Sequence, residues 1–142
     1  MTDSVGIIGG NSQIYKRFIE HTNIADKINF VSFGKKLCNF ELNLANRLDE
    51  EEIDSLLNLN RGVKQYIFFA GITKPDECAN NVWESFRVNV LNMIAFISKC
   101  IEHDKEILFL SSDAVFEGSK YPSYENSARC PKYTYGIQKS II

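Results

Sequence analysis

A chain of 142 residues, 44% hydrophobic and 24% charged, is sized and composed for a single globular core. Its formal charge of -2 leaves no basic footprint for nucleic acid or an anionic membrane surface, and no apolar run reaches the length of a bilayer span. MTDSVGIIGG lacks the charged-then-apolar layout of a secretory leader, so a cytoplasmic setting is expected; Cys38, Cys78, Cys100 and Cys130 read there as free thiols, too widely spaced for a CxxC metal site.

SVGIIGG is a short apolar run closed by two glycines, which predicts a buried strand entering a tight turn. SQIYKRFIEH follows as a helix, with Ser12 as its cap and Ile14, Phe18 and Ile19 at helical spacing. KINFVSFG alternates and stops at Gly34, a second strand. LDEEEIDSLLNL opens with acids in its first turn, as the helix dipole favours, and sets Ile53, Leu56 and Leu57 on one face of a second helix. QYIFFAG, apolar throughout, reads as a third strand covered on both faces. From Asn80 to His103, Val82, Phe86, Val90, Ile94, Ile97 and Ile101 recur at steps of three or four and predict one long helix. EILFLSS is a fourth strand; a polar loop with Gly118, Pro122 and Pro131 leads from it into the terminal helix of YTYGIQKSII. Alternating strands and helices predict an α/β fold, a doubly wound parallel sheet with right-handed crossovers. In such sheets ligands bind beyond the carboxyl ends of the strands, here Gly9/Gly10, Gly34/Lys35, Ala70/Gly71 and Ser111/Ser112.

Chemistry gathers at those ends. In GGNSQIY a glycine turn opens a helix, which lets backbone approach a pyrophosphate held on the helix N-terminus. Gly9, Asn11, Ser12, Gln13 and Ile14 are the candidate cofactor contacts, with Ser12 and Tyr15 standing where a GxxGxxG spacing would have glycines; a glycine turn without a ligand is the alternative. After the second strand the chain has GKK in place of an acid. Lys35 and Lys36 could meet a ribose 2′-phosphate, so the cofactor reading is NADP or NAD with a lean to NADP, against a plain solvated loop. Tyr135 and Lys139, four residues apart, share a helix face, where an ammonium can acidify a phenol that exchanges a proton with a substrate oxygen. Ser112, at a strand end, can hold the same oxygen by hydrogen bonding. No metal site is expected.

FFAGITKPDE, FRVNV and LFLSSDAVFEGSKYPSYEN followed by CPKYTYGIQKS together resemble the extended short-chain dehydrogenases/reductases, most closely the dTDP-4-dehydrorhamnose reductase branch of the nucleotide-sugar reductases and epimerases. The resemblance implies a Rossmann-like NAD(P)-binding domain over residues 1–142, truncated after the YxxxK helix and without the substrate lobe with which family members continue. It implies that Ala70 and Gly71 let the cofactor lie against backbone, that Asn89 is the family's helix-borne Asn, and that Ser112 supplies the hydroxyl. Tyr135 is then the acid/base, and Lys139 both lowers the tyrosine pKa and contacts the nicotinamide ribose. The implied partner is a nucleotide sugar. EILFLSS, which family members flank with a later strand, is expected at the sheet edge, where a homo-oligomer could form. Two readings of a different kind stand beside this one: a catalytically silent sugar-nucleotide or dinucleotide-binding module, and a scaffold that binds a partner through that edge.

Overall fold

The computed structural model describes residues 4–21, 28–116, 118 and 122–142. Lys27, first in the predicted second strand, and positions 117 and 119–121 of the polar loop lie outside the described residues. Strands β1 (Ser4–Ile8), β2 (Asn29–Gly34), β3 (Phe40–Glu41), β4 (Val63–Phe68) and β5 (Glu106–Phe109) form one sheet in the order β3-β2-β1-β4-β5, with every pair parallel. The predicted Rossmann-like architecture is therefore present. β3 was not foreseen, because two residues are too short to show a period of two. It is held by its register, Phe33 beside Phe40, and by stacking of those two rings at 5.3 Å.

The two sheet faces are covered unequally. Ile8, Phe33, Tyr66 and Phe68 join Ile53 and Leu57 of α2 (Glu50–Leu59) and Met93, Phe96 and Cys100 of α5 (Asn92–Glu102) in one buried cluster. On the other face, Tyr15 and Phe18 of α1 (Gln13–His21) meet Phe30 and Phe69 edge-on or tilted, at ring separations of 6.0–6.4 Å. No residue of α1 is fully buried. The Ser12 cap is as read, its hydroxyl accepting from Tyr15 N at 3.1 Å; Asp49, not foreseen as a cap, accepts from Glu51 N at the start of α2.

The predicted long helix is a compound element. A short α3 (Pro75–Asn80) precedes α4 (Val82–Phe86), a π-helical turn (Arg87–Leu91), and α5. Its buried stripe matches the predicted one only in part: Val90 is buried and Phe86 and Ile97 are half-buried, but Val82, Ile94 and Ile101 are exposed, and Ser85, Val88, Asn89, Asn92, Met93, Phe96 and Cys100 are buried as well. Ser85, Asn89 and Asn92 put polar side chains on the inward face, which hydrophobic periodicity alone does not place. β4 begins two residues before the predicted QYIFFAG and is not covered on both faces, since Lys64 and Gln65 are exposed. Phe69, Ala70 and Gly71 lie beyond the sheet, as do Leu110, Ser111 and Ser112 after β5. β5 is an edge strand, and its Leu108 is 55% exposed. A short 3-10 turn (Asp113–Val115) and α6 (Thr134–Ile141) complete the chain. Among the described residues, no helix is long and apolar enough to cross a membrane.

Candidate active site

The turn after β1 is built for close approach. Gly9 has φ 96°, a left-handed value that disfavours a side chain, and a Cβ there would lie 2.5 Å from Ala70 N. The turn is pinned by Gly9 N and Gly10 N, which donate to Phe33 O at 2.9 and 3.0 Å, and by Ser12 N, which donates to Gly9 O. The amides of Gln13 and Ile14 then open α1 as first-turn donors without an intrahelical acceptor. That is the backbone geometry that receives an anion.

Asn11 ties this turn to the next strand end. Its Oδ1 accepts from Lys35 N at 2.8 Å and Lys36 N at 3.4 Å, and its Nδ2 donates to Lys36 O. It packs so closely that a Cβ on Gly34 would fall 2.5 Å from Oδ1. Asn11 thereby fixes the backbone from which both lysine side chains project.

The opposite wall comes from the end of β4. Phe69 N and Ala70 N both donate to Ile8 O, at 2.8 and 3.0 Å, and Gly71 turns with φ 154°. The next residue is held by Asn89, whose Oδ1 accepts from Ile72 N at 2.8 Å while Nδ2 donates to Ile72 O at 2.9 Å. Asn89 is 2% exposed and sits in the π turn. It positions the loop from beneath.

The register of Phe68 beside Phe109 carries Ser112 out beyond the same end of the sheet as Ala70 and Gly71. Ser112 caps the 3-10 turn, its hydroxyl accepting from Ala114 N at 3.2 Å, and it lies within hydrogen-bonding reach of the Tyr135 phenol. Lys139 stands one turn further along α6; its Nζ donates to Leu110 O at 3.0 Å and lies 4.2 Å from the centroid of the Phe109 ring. The Tyr135 phenol thus approaches Ser112, with Lys139 one turn along the same helix. The expected acidification is not present in this arrangement. Burial pushes the Tyr135 phenol above its usual pKa, with the Ser112 hydrogen bond opposing and Cys78 and Asp113 adding to it, and burial lowers Lys139. Lys139 is not among the groups that shift the Tyr135 phenol; its ammonium meets the Leu110 carbonyl and the Phe109 ring.

A groove of about 590 Å³ runs along these strand ends. Of the expected cofactor residues, Gly9, Asn11, Ser12, Lys35, Ala70 and Gly71 line it. Gln13 and Ile14 present exposed side chains at the start of α1 and can contribute only through backbone, while Asn89, Tyr135 and Lys139 lie outside the lining. Leu42, Leu44, Ala45, Ile72 and Val88 add apolar wall, and Glu77 and Glu84 add carboxylates; sequence reading missed all of these. No local signal marks them, since they come from the β3 to α2 connection and from helix positions paired only by the fold. Glycine cradle, first-turn amides, an apolar slot and two adjacent lysines fit a nicotinamide dinucleotide.

The family model described as "RmlD substrate binding domain" matches residues 4–141. Comparison with curated proteins finds no match. Among solved structures, the chain is similar to a dTDP-4-dehydrorhamnose reductase from Bacillus anthracis in complex with NADP, with TM-score 0.82 and 23% identity over 99% of this chain and 47% of that one. It is also similar to a UDP-glucose 4-epimerase from Brucella ovis in complex with NAD, with TM-score 0.81 and 19% identity over 98% and 45%. A UDP-glucose 4-epimerase from Thermotoga maritima with UDP-glucose gives 0.80 and 15% over 97% and 48%. The chain thus spans less than half the length of each of these three proteins.

Proposed function

The chain belongs to the RmlD substrate binding domain family, and from that premise we propose that it forms the dinucleotide-binding and proton-transfer part of an NAD(P)-dependent oxidoreductase or epimerase acting on a nucleotide sugar. The observation that carries this reading is the meeting of Ser112, Tyr135 and Lys139 beyond β5, at the sheet end where the groove opens. A bound nicotinamide supplies or accepts the hydride. The protein's own residues handle the oxygen and its proton. Ser112 donates a hydrogen bond to a sugar carbonyl oxygen, and Tyr135, a neutral phenol at neutral pH, gives that oxygen its proton as the carbonyl carbon is reduced to an alcohol.

Gly9 and the amides of Gln13 and Ile14 would hold the pyrophosphate, and Leu42, Leu44 and Ala45 would wall the adenosine end. Lys35 and Lys36, held in place through Asn11, favour NADP over NAD. Lys139, which here donates to Leu110 O, would hold the ribose of the nicotinamide.

The test is turnover of a 4-keto nucleotide sugar with NADPH. The expected result is oxidation of NADPH that Tyr135→Phe abolishes while NADPH affinity is kept. Binding of NADPH with no turnover of any such sugar would replace this reading with that of a silent dinucleotide-binding module.

A further inference from the structure

We propose that Gln138 is a positioning residue that locks the helix carrying Tyr135 and Lys139 to the Ile72 loop of the cofactor groove, acting through Asn89 and Ser85. This inference rests on the preceding reading of the groove. Gln138 lies on α6 directly before Lys139, and its side chain points away from the reacting groups into the protein, where it is 2% exposed. There its Oε1 accepts from Asn89 Nδ2 at 2.8 Å and its Nε2 donates to Ser85 Oγ at 2.8 Å.

Each neighbour passes the constraint onward. Ser85 Oγ donates to backbone carbonyl oxygen, Val82 O at 3.0 Å or Cys78 O at 3.2 Å, and Asn89 grips both polar backbone atoms of Ile72. The result is a directed chain from the Ile72 backbone to the α4 backbone. Asn89 Nδ2 is a donor to both Ile72 O and Gln138 Oε1, so reversing the Gln138 amide would set donor against donor at Asn89. A buried, fully satisfied network of this kind fixes one rotation of α6 about its axis. That rotation decides where Tyr135 and Lys139 point relative to Gly71 and Ile72. An apolar side chain of similar size could fill the space but could not choose the rotation.

The experiment compares wild type, Gln138→Leu and Gln138→Glu by calorimetric titration with NADP and by amide hydrogen exchange at Ile72. Gln138→Leu is expected to weaken NADP by about tenfold and to deprotect the Ile72 amide, while amides of α2 and β1 keep wild-type protection. Gln138→Glu gives a signature that general destabilisation does not. Its protonated carboxyl can still donate to Ser85 and accept from Asn89, whereas the ionised form has no donor for Ser85. Its NADP affinity relative to wild type should therefore be near unity at about pH 5 and fall by about pH 8, since burial raises a carboxyl pKa into that interval. Wild-type NADP affinity and Ile72 protection in Gln138→Leu would overturn the proposal. If Gln138→Leu does not fold, a pH-independent affinity ratio for Gln138→Glu would overturn it instead. If wild type itself does not bind NADP, the reading of the groove fails, and Ile72 exchange alone decides whether Gln138 locks the loop.

Discussion

Gly136 follows the candidate acid/base tyrosine, and any side chain there would collide with the Ala114 carbonyl of the 3-10 turn that Ser112 caps. The glycine thus lets α6 approach closely enough for the tyrosine phenol to reach the serine. Gly136→Ala should cost about 1–3 kcal/mol in urea unfolding, the range for overpacking a close contact, and should also separate the pair. Tyr66 presents the opposite case. Its ring lies against Gly6 in the core, and its hydroxyl is buried with no hydrogen-bond partner among the described residues. Tyr66→Phe should therefore be stabilising by about 1 kcal/mol, read as a higher urea midpoint with an unchanged slope; a clear loss would point to a partner for that hydroxyl. At this scale the sequence was informative at strand ends, as with Gly9 and Ser112. It was silent on Gln138, because one polar residue in a helical pattern reads as surface until a partner from another element is known.

Between elements, α2 and α5 are joined on their outer side by charge. Lys99 reaches Glu102 at 2.8 Å, Asp54 at 3.2 Å and Glu50 at 3.6 Å, and His103 Nε2 meets Asp54 Oδ1 at 2.9 Å. The bond with His103, aided by Lys99, holds the Asp54 carboxyl below its usual range. A depressed carboxylate contributes stability above its unfolded pKa of about 3.9, and that contribution is lost as pH falls through the folded value. Asp54→Asn should then unfold more easily than wild type at neutral pH and converge with it in acid, as thermal unfolding across that range would record. A constant gap between the two would contradict the linkage. On the inner side, Asn92 accepts from Leu48 N and donates to Leu44 O and Asn46 O, holding the loop that leads from β3 to α2. Asn89 and Asn92, three apart, thus fasten loops on both sides of the groove from one helix face. Elements with a strong period were legible in the sequence, whereas the π turn and the two-residue β3 were not, since neither is long enough to imprint a pattern.

For the molecule as a whole, the parallel order β3-β2-β1-β4-β5 brings the ends of β1, β2 and β4, with Ser112 after β5, to one side, and these are the four ends singled out in the sequence. The walls of the groove were not legible, because they are assembled from residues far apart in the chain. The same topology leaves β5 at an edge, with Leu108 exposed beside paired Gln65 and Glu106. Unpaired edge backbone of this kind favours pairing with a second copy. Sedimentation velocity should show concentration-dependent association that Leu108→Lys weakens, and a monomer at all concentrations would rule that out.

The central claim, that the groove between the Gly9 turn, the lysine loop and the Ala70 loop holds a nicotinamide dinucleotide, is tested most directly by titrating the chain with NADPH and NADH while following nicotinamide fluorescence. The account predicts saturable binding of both, tighter for NADPH, with that preference lost when Lys35 and Lys36 are both changed to Glu. No fluorescence change with either dinucleotide at millimolar concentration would contradict it.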